Sequence, residues 1–172
     1  VNPSFGIKGL ELLKKGLTPQ EAVDKLIAED NVIYTRVNNP NAEMVEDKVV
    51  AWDGTEAAAL FSSGMGAISN SCLTFLRPGD TLVFSDPVYG GTEYFFRHLL
   101  PSFHIRTIPF PVGTPEAELD EIVRRDPTIK IIYLESPANP TMKLCDIPAA
   151  RRVADRHARK DSRILVMVDN TF

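Results

Sequence analysis

The sequence predicts an α/β fold in which helices flank a mostly parallel β-sheet. Short apolar segments typical of buried strands alternate with helical segments from residue 57 onward, and this alternation is the pattern of α/β units. The 172 residues, 44% of them hydrophobic, suffice for a domain with a substantial core. Ligands of such folds bind outside the carboxyl ends of the strands, so we expect functional residues in the turns there.

Helices and a loop precede this alternation. Thr18-Pro19-Gln20-Glu21 is a capping box with proline at the first helical position, and it predicts a helix that runs to about Asp30. The segment from Tyr34 to Asn41 is predicted to be a loop because its asparagines and Pro40 disfavour a helix interior or a central strand. Ala42 to Trp52 then has the spacing of apolar residues that indicates a helix.

The alternation itself consists of five strands and four helices in order along the chain. The turn residues glycine, proline, aspartate and asparagine separate them. The predicted strands are Ala57 to Phe61, Thr81 to Phe84, His104 to Pro109, Lys130 to Glu135 and Ile164 to Asp169. The predicted helices are Gly64 to Leu76, Tyr89 to Leu100, Pro115 to Arg125 and Ile147 to Arg159, and Pro109-Phe110-Pro111 is predicted to be a turn.

Composition excludes several classes of protein. The formal net charge of -4 argues against a nucleic-acid partner, and no apolar run approaches the roughly 20 residues of a membrane span. The start at Val1 shows no signal-peptide pattern. Cys72 and Cys145 lie in apolar contexts without metal-ligand spacing, so we expect buried thiols in a cytoplasmic protein. Because Val1 is an unusual start and the last predicted strand ends close to Phe172, we expect a stretch of a longer polypeptide.

A glycine-containing turn after the first predicted strand indicates an anion site. Ser63-Gly64-Met65-Gly66 opens a predicted helix, whose free backbone N–H groups and positive dipole end suit a phosphate. The same glycines permit an alternative, a nicotinamide-dependent oxidoreductase, because Gly64-x-Gly66-x-x-Ser69 is followed by Asp86 at the end of the next strand. The missing third glycine weakens that alternative.

Four other residues have both an ordinary and a functional interpretation. Tyr89 is either a surface or core tyrosine, or an aromatic lid over a planar ligand with a hydroxyl that moves protons. Asp169, at the end of an apolar strand, is either a cap or ion-pair partner, or the partner of a cationic ring nitrogen. Tyr34 and Arg36 are either surface residues or a phosphate-binding pair.

Six segments in order along the chain resemble one family, the cystathionine γ-synthase, cystathionine γ-lyase and methionine γ-lyase family of pyridoxal-phosphate (PLP) enzymes. The resemblance covers residues 33 to 172, and its segments are Tyr34-Thr35-Arg36-Val37-Asn38-Asn39-Pro40, Ser62-Ser63-Gly64-Met65-Gly66-Ala67-Ile68, Gly79-Asp80-Thr81-Leu82, Asp86-Pro87-Val88-Tyr89-Gly90-Gly91-Thr92, Glu135-Ser136-Pro137-Ala138-Asn139-Pro140 and Val168-Asp169-Asn170-Thr171-Phe172.

The resemblance implies a role for each candidate residue. Tyr89 is expected to stack on the PLP ring and to serve in proton transfer, Asp169 to pair with the ring nitrogen, and Asn139 to lie near the ring oxygen. The residues expected to bind the PLP phosphate are Ser63, Gly64 and Met65 from the same subunit, and Tyr34 and Arg36 from a neighbouring subunit.

The resemblance also implies the activity and the assembly. We expect a PLP-dependent lyase or transferase acting at the γ-carbon of sulfur amino acids or activated homoserine, in a homotetramer built as a dimer of dimers with shared active sites. Residues 1–41 are expected to form an N-terminal segment and residues 42–172 the first part of the PLP-binding large domain. The family's Schiff-base lysine follows the Asp-Asn-Thr strand in a Ser-x-Thr-Lys stretch. We therefore expect that lysine, the rest of the large domain and the carboxyl-terminal domain to lie beyond Phe172. A further alternative is that the protein is a non-catalytic remnant of such an enzyme.

One position bears on the substrate. Methionine γ-lyases of the well-known type carry a cysteine two residues after the stacking tyrosine, where this chain has Gly91. In this respect Gly90-Gly91-Thr92 is more similar to the cystathionine enzymes.

Overall fold

The chain divides into two compact units, Val1–Phe61 and Ser62–Phe172. The computed structural model describes residues 10–28, 39–159 and 163–172. Among the described residues, no helix combines the length and the apolar character needed to cross a membrane.

Two helices in the described part of the first unit have starts that follow from their capping residues. Helix α1 (Pro19–Ala28) begins at the predicted capping box, where the Thr18 N–H donates to Glu21 Oε2 at 2.8 Å and the Glu21 N–H donates to Thr18 Oγ1 at 3.3 Å. Helix α2 (Pro40–Asp53) is capped by Asn39, whose Oδ1 accepts the Asn41 N–H. The predicted loop thus ends earlier than Asn41, since proline suits the first position of a helix.

The predicted strand from Ala57 to Phe61 is wrong, because these residues pair with no strand in the described parts of the chain. Leu60 and Phe61 are 54% and 38% exposed. The Leu60 N–H donates to Glu46 Oε1 at 2.7 Å instead of to a neighbouring strand. A short apolar run indicates a strand only where a partner strand accepts its backbone hydrogen bonds.

The second unit is built on a four-stranded sheet, and the predicted parallel arrangement is confirmed. Its order is β2-β1-β3-β4, and every pair of neighbours is parallel. The last residues of β3 and β4, Glu135 and Asp169, lie opposite each other in the register. The strands are β1 (Thr81–Asp86), β2 (Arg106–Pro111), β3 (Ile129–Glu135) and β4 (Leu165–Asp169).

Helices cover both faces of this sheet. Helix α4 continues into a π-helical turn, Phe95–Leu99, before the last short helix of that segment. The helices are α3 (Gly64–Phe75), α4 (Gly90–Tyr94), α5 (Leu100–Ser102), α6 (Glu116–Arg125) and α7 (Ile147–Arg156). The predicted turn at Pro109-Phe110-Pro111 is wrong, because these residues complete β2. Strand β2 is an edge strand, where a proline without an N–H is tolerated.

The core lies in two layers because successive strand residues point to opposite faces of the sheet. On one face, Phe84 and Tyr133 pack with Phe96, whose ring centroid lies 5.0 Å from Phe84 and 4.9 Å from Tyr133. On the other face, β-strand residues pack against α6 and α7. Both cysteines are free, and burial raises the pKa of the Cys72 thiol to about 12. The predicted buried thiol is therefore confirmed at Cys72, whereas Cys145 is only partly buried.

Candidate active site

A cavity of about 410 Å³ lies at the carboxyl end of the sheet in the second unit. Six of its lining residues were predicted from the sequence, namely Ser63, Gly64, Met65, Tyr89, Asn139 and Asp169, and four were not, namely Ile68, Glu135, Thr171 and Phe172. The structure thus brings every candidate of the second unit to one place. The other two candidates, Tyr34 and Arg36, lie outside the described residues.

The glycine turn opens α3 with backbone donors aimed at this cavity. Ser63 is the extended N-cap residue, and its Oγ accepts the Gly66 N–H at 3.0 Å while its carbonyl accepts the Ala67 N–H. The first N–H groups of a helix, here those of Gly64 and Met65, have no intrahelical acceptor. A Cβ built on Gly64 would meet no atom within 4 Å. The turn is therefore open to a ligand and carries the partial positive charge that favours an anion.

Tyr89 precedes α4 and presents its ring at the cavity. It is 50% exposed, and its backbone N–H donates to Glu135 Oε2 at 2.8 Å. The ring lies directly against the backbone of Gly91, since a Cβ added there would be 2.6 Å from Tyr89 Cε1. The ring position therefore depends on the lack of a side chain at residue 91.

Asp169 ends β4 with its carboxylate held by hydroxyl and backbone donors. Oδ1 accepts the N–H and the hydroxyl of Thr171 at 3.1 and 2.6 Å, and Oδ2 accepts the hydroxyl of Tyr133 at 3.2 Å. Burial, and then the charge of Asp169, raises the pKa of Tyr133 well above its usual range. The Tyr133 hydroxyl therefore keeps its proton and donates a hydrogen bond to Asp169.

Glu135 lines the cavity, although the sequence analysis assigned it no role. It is only 3% exposed, and its two carboxylate oxygens accept the backbone N–H groups of Tyr89 and Asn139, each at 2.8 Å. The available signal was a carboxylate at the end of the apolar strand β3, the same pattern that drew attention to Asp169. Its partners could not be read from the pattern, because Tyr89 lies 46 residues away.

Asp86, the acid that the nicotinamide alternative requires, forms an ion pair away from the cavity. Asp86 Oδ2 pairs with the Arg97 guanidinium at 3.1 Å, and Asp86 is not among the residues that line the cavity. The arrangement therefore does not support the oxidoreductase alternative.

The chemical groups that line the cavity fit a planar, phosphorylated and cationic heterocycle. The α3 N-terminus suits its phosphate, the Tyr89 ring suits its face, and the Asp169 carboxylate suits a protonated ring nitrogen. The described lining residues include no lysine or arginine that would neutralise Asp169. A cationic ligand would supply that missing partner.

Comparisons with known proteins give one matching family and several relatives. Residues 18–172 match the family model described as Cys/Met metabolism PLP-dependent enzyme. The chain is 41% identical to L-methionine gamma-lyase of Porphyromonas gingivalis over 144 residues, which are 84% of this chain and 34% of that protein. It is 34% identical to cystathionine gamma-lyase of Rattus norvegicus over 140 residues, 81% of this chain and 33% of that protein. The chain thus spans about a third of the length of the curated relatives it matches.

Solved structures show the same likeness. O-acetylhomoserine sulfhydrylase of Wolinella succinogenes superposes with a TM-score of 0.69 at 31% identity, over 77% of this chain and 35% of that one. A putative O-acetylhomoserine (thiol)-lyase of Campylobacter jejuni shares the fold, with a TM-score of 0.75 at 24% identity over 88% of this chain and 36% of that one. The Campylobacter structure contains N′-pyridoxyl-lysine-5′-monophosphate.

Proposed function

Because the chain belongs to the family of Cys/Met metabolism PLP-dependent enzymes, we propose that it is part of a PLP-dependent lyase or transferase acting at the γ-carbon of sulfur amino acids or activated homoserine. The names of its relatives, among them methionine and cystathionine γ-lyases and an O-acetylhomoserine sulfhydrylase, support this reaction class. One observation carries the proposal. A single cavity gathers an anion-binding helix start, an exposed aromatic ring and a carboxylate that lacks a cationic partner among the described lining residues.

We propose that the phosphate of PLP binds at the start of α3. Ser63, Gly64 and Met65 would bind it, the last two through their N–H groups, while Ser63 Oγ accepts the Gly66 N–H and keeps the turn in shape. Tyr34 and Arg36 of a neighbouring subunit are proposed to complete the phosphate site.

The ring of PLP is proposed to lie between α3 and Tyr89. Tyr89 would stack on it, Asp169 would pair with its protonated nitrogen, and Asn139 would lie near its oxygen. When bound, PLP withdraws electrons from the reacting carbon of the substrate and stabilises negative charge there. Tyr89 is half exposed, and its phenolic oxygen would exchange a proton with the substrate.

We also propose the wider setting of the chain. Residues 1–41 are an N-terminal segment with the intersubunit loop, and residues 42–172 are the first part of the PLP-binding large domain. The assembly is a cytoplasmic homotetramer, a dimer of dimers, without nucleic-acid or membrane partners. The acidic charge balance and the two free cysteines support this setting.

The reaction class can be tested with the purified holoenzyme. We expect it to bind one PLP per subunit and to lose its visible absorbance on borohydride reduction. We also expect it to release a thiol, ammonia and a 2-oxo acid from L-methionine or L-cystathionine and water, or to exchange the acetate of O-acetylhomoserine for a thiol. Turnover that requires a nicotinamide cofactor would favour the oxidoreductase. Bound PLP without turnover on any of these substrates would favour a non-catalytic remnant.

The shared active site predicts complementation between two inactive variants. Arg36→Ala and Asp169→Asn should each be nearly inactive alone. After the two are mixed under conditions that exchange subunits, each heterodimer contains one site with both native residues, so statistical mixing restores about a quarter of the native sites. A mixture as inactive as its components, or an active monomer, would show that Arg36 serves its own subunit.

A further inference from the structure

Glu135 links the two loops that carry the ring-facing residues of the cavity. Its Oε2 accepts the Tyr89 N–H from the loop after β1, and its Oε1 accepts the Asn139 N–H from the loop after β3, each at 2.8 Å. Its own N–H donates to Ser85 Oγ at 3.0 Å, on β1. The backbone of Glu135 is thus bonded to β1, and its carboxylate holds both loops.

The environment of Glu135 makes these bonds strong determinants of geometry. Glu135 is 3% exposed, and hydrogen bonds to a charged acceptor are about twice as strong as neutral ones. A buried carboxylate without such partners would be costly, so neither loop can move away without leaving a charged oxygen unsatisfied. Both oxygens bond backbone donors, and no hydrogen bond of Glu135 in the described structure involves a side chain that reaches the proposed PLP ring.

We propose that Glu135 is a positioning residue that sets the Tyr89 ring and Asn139 relative to the PLP ring. The inference rests on the proposed function, since it assigns a role toward the cofactor of that same site. Glu135 acts through its hydrogen bond to the Tyr89 backbone N–H. The lack of a side chain at Gly91 leaves room for the Tyr89 ring.

Glu135→Gln isolates this role, because the variant keeps the size of the side chain and removes one acceptor. A glutamine amide has a single oxygen, so it can accept only one of the two backbone N–H groups. Its NH₂ group is itself a donor and cannot accept the other. Either Tyr89 or Asn139 therefore loses its hydrogen bond to residue 135. Glu93→Gln is the matched control, since Glu93 lies on α4 near Tyr89 and its carboxylate pairs with Arg97 at the surface.

The test uses the holoenzyme and three measurements: PLP affinity, the visible circular dichroism of bound PLP, and turnover. We expect Glu135→Gln to bind PLP about tenfold more weakly, to change the circular dichroism of the bound ring, and to lower kcat with little change in KM. Glu93→Gln should match the parent protein in all three. In a Tyr89→Ala background, Glu135→Gln should have a much smaller effect on turnover, because its effect is transmitted through that ring.

The outcomes separate this inference from the proposed function. If Glu135→Gln does not fold, Glu135→Asp replaces it, because its shorter carboxylate cannot reach both donors. A variant with a lower melting temperature but an unchanged dichroism and unchanged turnover per folded molecule overturns the positioning role. Full additivity with Tyr89→Ala overturns it as well. A parent protein that binds no PLP would instead overturn the proposed function.

Discussion

Asp169→Asn in the holoenzyme should fold normally and lose most of its turnover. A neutral amide cannot balance the charge of a protonated ring nitrogen, and the lost stabilisation falls mainly on the transition state, so we expect turnover to drop about a hundredfold or more. Cofactor affinity should drop as well, by about 1.5–3 kcal/mol, the worth of a hydrogen bond to a charged group. Asp169→Ala should behave similarly but bind PLP more weakly.

The bonds around Asp169 explain why the asparagine variant should fold. An amide oxygen can still accept from Thr171, and an amide NH₂ can donate to the hydroxyl oxygen of Tyr133. Asp155→Asn is the control, since it removes the same charge from an exposed pair with Arg151 on α7. Melting temperature and turnover per bound PLP should be measured for each variant. A lower melting temperature with unchanged turnover per folded molecule would show that Asp169 has only a structural role.

Gly91→Ala should displace the Tyr89 ring and lower turnover about a hundredfold, because misplacing a reacting group by about 1 Å costs that much. The new Cβ would lie 2.6 Å from Tyr89 Cε1 and 3.2 Å from Met65 Sδ. Since the tyrosine ring is half exposed, it can swing aside, so the melting temperature should change little.

Gly90→Ala is the matched control for this prediction. A Cβ at Gly90 would meet no atom within 4 Å, and alanine favours the helix that starts there. Turnover should stay near that of the parent protein, and the visible circular dichroism of bound PLP should change only in Gly91→Ala. Equal effects of the two substitutions would show that the space beside Tyr89 is not what determines activity.

Local patterns predicted the parallel sheet and most of the candidate site. Strand and helix periods are local properties, and the carboxyl ends of parallel strands meet at one edge, so the placement of Tyr89, Asn139 and Asp169 around one cavity followed from the order of elements. The sequence did not predict the π-helical turn at Phe95–Leu99, which has no simple residue signature.

The errors concern interactions between residues distant in sequence. The segment from Ala57 to Phe61 has the composition of a strand, but composition does not show whether a partner strand lies beside it. Pro109-Phe110-Pro111 has turn residues, yet its position at the sheet edge lets it remain a strand. The role of Glu135 depends on a bond to Tyr89 across 46 residues. In each case the deciding contact is tertiary.

Glu135 and Asp169 lie opposite each other in the register of β3 and β4. This arrangement limits which parts of the site can shift when residues around it are substituted. Neighbouring strands keep a spacing of about 4.8 Å that backbone hydrogen bonds enforce, so the distance between the backbones of these two residues is insensitive to substitutions in the loops. The start of α4, with Gly90 and Gly91, is not constrained in this way. Substitutions at residue 91 can therefore alter the position of the Tyr89 ring, and with it which amino acid is accepted, while the spacing of Glu135 and Asp169 stays unchanged.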